Sequence, residues 1–100
     1  MTAFVVRILP DAEAELKEAF NWYRQRSHLA ANGFRNAVFA AVDSLERTAS
    51  MRPKTEDGFS YIVLERYPYT VYFDVTNNEA IVVAIAHHRR RPSYWRSRSS

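Results

Sequence analysis

Side chains capable of chemistry gather at the end of the chain. Ala84-Ile-Ala-His-His-Arg-Arg-Arg-Pro-Ser-Tyr-Trp-Arg-Ser-Arg-Ser-Ser100 runs from an apolar stretch through two histidines into five arginines. Adjacent histidines suggest a metal first, but neighbours on a strand point to opposite faces. With no cysteine and only His28 elsewhere, neither a metal site nor a cofactor is expected. Metal-free cleavage of RNA is a second option. It needs a base for the 2′-hydroxyl proton, an acid for the 5′ leaving oxygen and cations for the charged phosphorane. His87, His88 and Tyr94 are the available proton-transfer groups, with Lys54, Arg66 and Arg90 as charge stabilisers, since arginine does not give up its proton in proteins. Plainer accounts stand beside these. His87 reads as a strand-end residue hydrogen-bonded by its neighbours, Arg89 to Arg91 as a solvated charge run, and Trp95 as a packing anchor rather than a base-stacking platform. Glu13, Glu15 and Glu18 cluster where a first helix is expected and read as its solvated face, which leaves a glutamate base without support. Gly33 and Gly58 are isolated, so no phosphate-cradling loop is present, and no Ser/His/Asp arrangement is apparent.

The elements that must carry these residues are set by periodicity. Thr2 to Leu9 alternates, with Phe4, Val6 and Ile8 on one side, which predicts a strand with one buried face. Pro10, followed by Asp11, Glu13 and Glu15, predicts a helix start, because proline is tolerated in the first turn and carboxylates favour the positive end of the dipole. Ala12, Leu16, Ala19, Phe20 and Tyr23 extend that helix to about Arg26, with a break at Ser27-His28. Phe34, Val38, Ala41, Val42 and Leu45 mark a second helix that ends before Arg52-Pro53. The period then falls to two over Phe59–Arg66, Tyr69–Thr76 and Ala80–His88. Turns at Tyr67-Pro68 and Asn77-Asn78 separate these three strands, and asparagine suits the second because it tolerates positive φ. The expected architecture is α+β in the order β-α-α-β-β-β, a two-helix hairpin on an antiparallel sheet, with residues 1–100 forming one domain.

Charge is distributed unevenly. Residues 1–79 hold nine Lys/Arg against eleven Asp/Glu, whereas residues 80–100 hold five Arg and no acid, so the net +3 arises at the end of the chain. Twelve of the fourteen basic residues are Arg, the planar donor that grips carboxylates and phosphates in a fork, which suits an acidic partner. The absence of cysteine excludes a disulfide framework and thiolate chemistry. The beginning of the chain lacks the long apolar core of a signal peptide, so a soluble cytoplasmic protein without membrane partners is expected.

Four stretches taken together carry a resemblance. They are Pro10-Asp-Ala12 after the first strand, "FNWY" (Phe20–Tyr23), "ERYPYTVYF" (Glu65–Phe73) and "IAHHRRRPSYWRSR" (Ile85–Arg98). The chain resembles the ParE/RelE superfamily of toxins from bacterial toxin–antitoxin systems over almost its whole length. The more specific parts are the Y-P-Y-x-V-Y block (Tyr67–Tyr72) and H-x-x-R-x-P (His87, Arg90, Pro92). The resemblance implies a toxin held in a hetero-oligomer by a cognate antitoxin. Its target is either DNA gyrase, as for ParE-like members, or ribosome-bound mRNA, as for RelE-like nucleases. For a nuclease it implies Arg90 and Tyr94, to which the reading of the residues adds His87 as the third member of the catalytic set. For a binder, an acidic antitoxin would complement the Arg-rich end, and Arg66, Arg89, Arg90, Arg91, Trp95 and Arg96 are the candidate contacts to target or antitoxin. The chain has Ser60 where many nuclease relatives carry Arg, and only Lys54 in the preceding loop, so the ParE-like, gyrase-directed branch is expected. A non-enzymatic nucleic-acid-binding module is a further alternative, with phosphate contacts that weaken steeply with salt.

Overall fold

The computed structural model describes residues 3–98. The element order is β1 (Val5–Ile8), α1 (Pro10–Arg24), α2 (His28–Thr48), a 3₁₀ turn (Ala49–Met51), β2 (Ser60–Val63), β3 (Tyr69–Thr76) and β4 (Glu79–His87). Proline occupies the first turn of α1, with Asp11 and Glu13 beside it at the positive end of the helix dipole. The helix stops at Arg24, two residues short of expectation. Ser27 adopts an extended backbone as the cap of α2 and its Oγ accepts from Ala30 N at 3.1 Å, which forces the chain to turn before it. Arg26 then donates back to the Trp22 carbonyl at 2.8 Å, satisfying one of the orphan acceptors at the end of α1.

The strands form one sheet in the order β1-β4-β3-β2. β2, β3 and β4 pair antiparallel, as the short turns require, but β1 lies parallel to β4, with Val5 opposite Glu79 and Ile8 opposite Val82. The sheet is therefore mixed, where alternation alone suggested an antiparallel one. The two helices between β1 and the hairpins provide the long crossover that a parallel neighbour needs. Thr2, the expected start of β1, lies outside the described residues. β2 is half its expected length, because Leu64 to Pro68 form the turn into β3 and Leu64 N–H closes on the Tyr69 carbonyl at 3.0 Å. Asn77 takes φ 51° in the β3–β4 turn, as its type and place predict.

A bulge in the central pair decides which side chains of β4 meet which layer. Tyr72 faces Ala84 but Phe73 faces Val82, which leaves Val83 as the extra residue on β4. Val82 and Ile85 face the helices and share a core with Phe34, Val38, Leu45, Val71 and Phe73. Val83 and Ala84 both face the other side, with Ile81, Ala86 and Leu9, and there they meet Trp95. The segment after β4 thus folds across the second face of the sheet. Trp95 is 4% exposed and stacks on Tyr72 with centroids 3.7 Å apart, while Phe59 packs edge-on from the far side. Both faces of the sheet are covered, one by the helices and the other by this short C-terminal layer.

Candidate functional site

β1 covers β4 only as far as Val82, where Leu9 N–H donates to the Val82 carbonyl at 3.0 Å. Beyond that point the β1-side edge of β4 has no strand beside it, and side chains take over. Glu15 on α1 accepts from Ile85 N at 3.0 Å, and Arg98 donates to the Val83 carbonyl at 2.8 Å. The same two side chains pair with each other, Arg98 donating to both Glu15 oxygens at 2.9 and 3.2 Å, and Arg98 reaches Asp11 one helical turn earlier at 3.5 Å. The Tyr94 hydroxyl donates to Glu15 Oε2. Glu15 is therefore a hub for one backbone amide, one phenol and one guanidinium. Its side chain is only 15% exposed, so the expected solvated role is corrected for this residue.

Electrostatics follow from the burial. The Tyr94 phenol is pushed well above its ordinary value, first by burial and then by the hydrogen bond to Glu15, with Arg90 and Arg98 opposing the rise. The Arg98 guanidinium is raised in turn, chiefly by its hydrogen bonds to Glu15. Both protons are therefore held more firmly than in solution. The Arg90 guanidinium lies 3.8 Å from the centre of the Tyr94 ring and 3.9 Å from Glu15 Oε2, with its side chain still half exposed.

Arg90 stands at the mouth of an open groove of about 730 Å³ between the second half of α1 and the end of β4. Trp22, Tyr23 and Tyr69 supply its aromatic walls, and His87, Arg89 and Arg90 its basic rim. Of the Y-P-Y motif, Pro68 and Tyr69 line the groove and Tyr67 packs behind them. Tyr67 and Tyr69 pack with Tyr23 and Phe34 at centroid separations of 4.9 to 6.4 Å, and the Tyr67 hydroxyl donates to the Ala30 carbonyl at 3.3 Å. Trp22 is half exposed, with the Arg26 guanidinium stacked 3.7 Å from its ring centre.

The residues singled out from sequence separate into distinct places. The two histidines diverge as strand alternation requires. His87 lies edge-on to Tyr69 in the groove, and its Nδ1 accepts from Arg89 N at 3.0 Å, whereas His88 Nε2 pairs with Thr70 Oγ1 at 3.0 Å. Among the described residues no cluster of three or more potential metal ligands occurs. His87, Arg89 and Arg90 come together, and Tyr94 sits behind Arg90 rather than open to the groove. Trp95 is buried under the sheet and has no surface to offer a partner, so it is removed from the contact set. Arg96 points away, held to Asp57 at 2.7 Å. Arg66, Arg91 and Lys54 are exposed but do not line the groove, and Ser60 is buried. Glu15, Arg98, Trp22 and Tyr69 were missed as site residues. The one signal for the first two was spacing: Asp11 and Glu15, four apart, put two carboxylates on one helix face that an arginine could bridge.

Comparison with known proteins decides the family. Residues 6–92 match the model of the ParE toxin of the type II toxin–antitoxin system parDE. The chain belongs to the ParE toxin family. A solved structure described as the chromosomal ParDE TA system from P. aeruginosa is similar to it with a TM-score of 0.75, covering 85% of this chain and 96% of that one at 21% identity. At that identity the likeness establishes the shared fold of two helices on a four-stranded sheet. No curated protein is significantly similar in sequence. The matched span includes the whole groove, and Glu15, His87, Arg89 and Arg90 lie within it, whereas Tyr94 and Arg98 lie just beyond. No helix among the described residues is long and apolar enough to cross a membrane.

Proposed function

We propose that this ParE-family chain inhibits growth by binding DNA gyrase through the groove and its arginine rim, without catalysing a reaction, and that a cognate acidic antitoxin neutralises it in a hetero-oligomer. The observation that carries the non-catalytic part is the state of Tyr94. Its hydroxyl donates to Glu15 Oε2 and its ring sits behind Arg90, outside the groove lining, while burial and that hydrogen bond raise its pKa, so it is poorly placed to exchange a proton with a bound phosphodiester. Arg89 and Arg90 supply charge alone. Aromatic walls beside guanidinium groups suit recognition of a protein surface, where Trp, Tyr and Arg carry a large share of binding energy. Family membership supports the antitoxin, and the net positive charge of residues 80–100, with Arg89 and Arg91 exposed, favours an acidic one.

Tightly controlled expression tests the reading. Induction should arrest growth with gyrase-linked DNA breakage, and Arg90→Ala should abolish both. Ribosome-dependent mRNA cleavage that disappears in Arg90→Ala or Tyr94→Phe would establish the RelE-like alternative instead. A short acidic protein encoded in the adjoining reading frame is expected to suppress the arrest when co-expressed.

A further inference from the structure

Glu15 has more partners than its structural surroundings demand. Capping the open edge of β4 needs only one carboxylate oxygen on Ile85 N, and Oε1 supplies it while also accepting from Arg98. The second oxygen is turned outward to the Tyr94 hydroxyl, and the Arg98 guanidinium braces both oxygens, so the carboxylate plane is fixed from two sides. Tyr94 is thereby pinned at its tip by Glu15, while Trp95, its buried neighbour, anchors its backbone. Two guanidinium groups lie over the ring, Arg90 at 3.8 Å and Arg98 at 5.1 Å from the centroid, and of the two Arg90 is the closer and the more exposed. Among the described residues no other contact restrains the Arg90 side chain so closely, since its approach to Glu15 is a long 3.9 Å and it is half exposed.

We propose that Glu15 is a positioning residue for Arg90, acting through the ring of Tyr94. The chain of contacts runs from the β4 edge to the carboxylate, from the carboxylate to the phenol, and from the ring face to the guanidinium at the groove mouth. An arginine side chain left to itself samples many rotamers, and ordering it before a partner arrives removes that entropy from the cost of binding. Stacking on a partly desolvated tyrosine is strong enough to bias the rotamer without hiding the donor edge. The functional side of this proposal rests on the reading that the groove is the binding surface, but the positioning itself is a property of the free protein.

The free chain labelled with ¹⁵N gives the direct test, through the Nε–Hε heteronuclear NOE of each arginine. Arg90 should be ordered well beyond Arg91, and Tyr94→Ala should drop its NOE to the level of Arg91. Glu15→Gln, which turns an acceptor oxygen into a donor facing other donors, should lower it as well. Tyr94→Phe keeps the ring but cuts it from Glu15, so the Arg90 NOE should fall to a value between those of the parent chain and Tyr94→Ala. The Arg91 signal should not move in any variant, which separates positioning of Arg90 from general loosening of the fold. Near-ultraviolet dichroism of Trp95 checks that each variant is folded, and Tyr94→Phe covers the case in which Glu15→Gln is not. An Arg90 NOE unchanged in Tyr94→Ala, or unchanged in both Glu15→Gln and Tyr94→Phe, overturns the proposal. If the NOE falls as expected but Arg90→Ala still arrests growth, positioning stands and the groove reading fails.

Discussion

Replacing Trp95 by Ala and by Phe should have sharply different effects. Trp95 is 4% exposed, stacks on Tyr72 at 3.7 Å and touches Phe59 and Tyr94 edge-on, so truncation to Ala removes the keystone of the layer covering the second face of the sheet. Buried Trp-to-Ala changes cost about 3–5 kcal/mol. Here part of that is returned, because Trp95 Nε1 is buried with no hydrogen-bond partner among the described residues, and an unmet buried donor costs roughly 1–3 kcal/mol. The net loss should be about 2 kcal/mol, which for a chain of this size lowers Tm by about 8–16 °C. Trp95→Phe keeps an aromatic face on Tyr72 and deletes the orphan donor, so the lost area and the relieved donor nearly cancel, leaving a change within about 1 kcal/mol. Thermal unfolding followed by near-ultraviolet dichroism reads both. A Tm drop below about 4 °C in Trp95→Ala would refute the claim that this tryptophan holds the C-terminal layer, and equal losses in the two variants would refute the orphan-donor argument.

Other positions give equally definite expectations. A Cβ at Gly33 would overlap the Tyr67 hydroxyl, so Gly33→Ala should destabilise the chain although a helical Gly-to-Ala change normally stabilises by about 0.5–1 kcal/mol. In a Tyr67→Phe background the sign should reverse, and urea unfolding of the four proteins that gives one sign in both backgrounds would defeat the explanation. Arg98→Met keeps the apolar stem but strips Glu15 of its cation and the Val83 carbonyl of its donor, and should cost about 2–4 kcal/mol by denaturant titration, with part of the loss recovered on adding Glu15→Gln. The raised folded-state pKa of Tyr94 means that the neutral phenol is the form stabilised by folding. Its contribution is complete below the unfolded value of about 10 and is lost as pH rises toward the folded value. Tm should therefore be insensitive to Tyr94 ionisation near neutrality and fall above about pH 10, with a shallower fall in Tyr94→Phe, since burial also raises Tyr23, Tyr69 and Tyr72.

What could be read in advance divides along physical lines. Elements defined by short-range period or turn chemistry were legible: β3 falls at Tyr69–Thr76 as expected, Asn77 takes positive φ, and Ser27 marks the break between the helices. The parallel placement of β1 was not, because alternation encodes which face is buried and is blind to the direction of the neighbouring strand. Trp95 was legible as an anchor because a large aromatic residue beyond the last strand has few other uses. Glu15 was misread because an acid within three positions of other acids in the first half of an amphipathic helix looks the same whether it faces water or the end of the chain.

That ambiguity has a structural origin. β4 outruns β1 by half its length, and a bared edge must be satisfied by something other than a strand. A carboxylate serves the amide and a guanidinium serves the carbonyl, and because the two bear opposite charge they complete each other without leaving a bare ion in the interior. The arginine comes from the segment after β4, so satisfying the edge also fastens that segment to α1, some 83 residues away in sequence. Tyr94, held between the anchors Trp95 and Glu15, offers its ring to Arg90, which stacks on it where it lines the groove. The five arginines at the end of the chain thus serve different ends. Arg98 closes the sheet edge, Arg96 holds the Asp57 loop, and Arg89 and Arg90 reach the groove that a partner would meet. A uniform solvated charge run would let any one of them be exchanged for lysine without consequence. The fork geometry at Glu15 and the stacking at Tyr94 require a planar guanidinium at positions 98 and 90 and place no such demand on position 91.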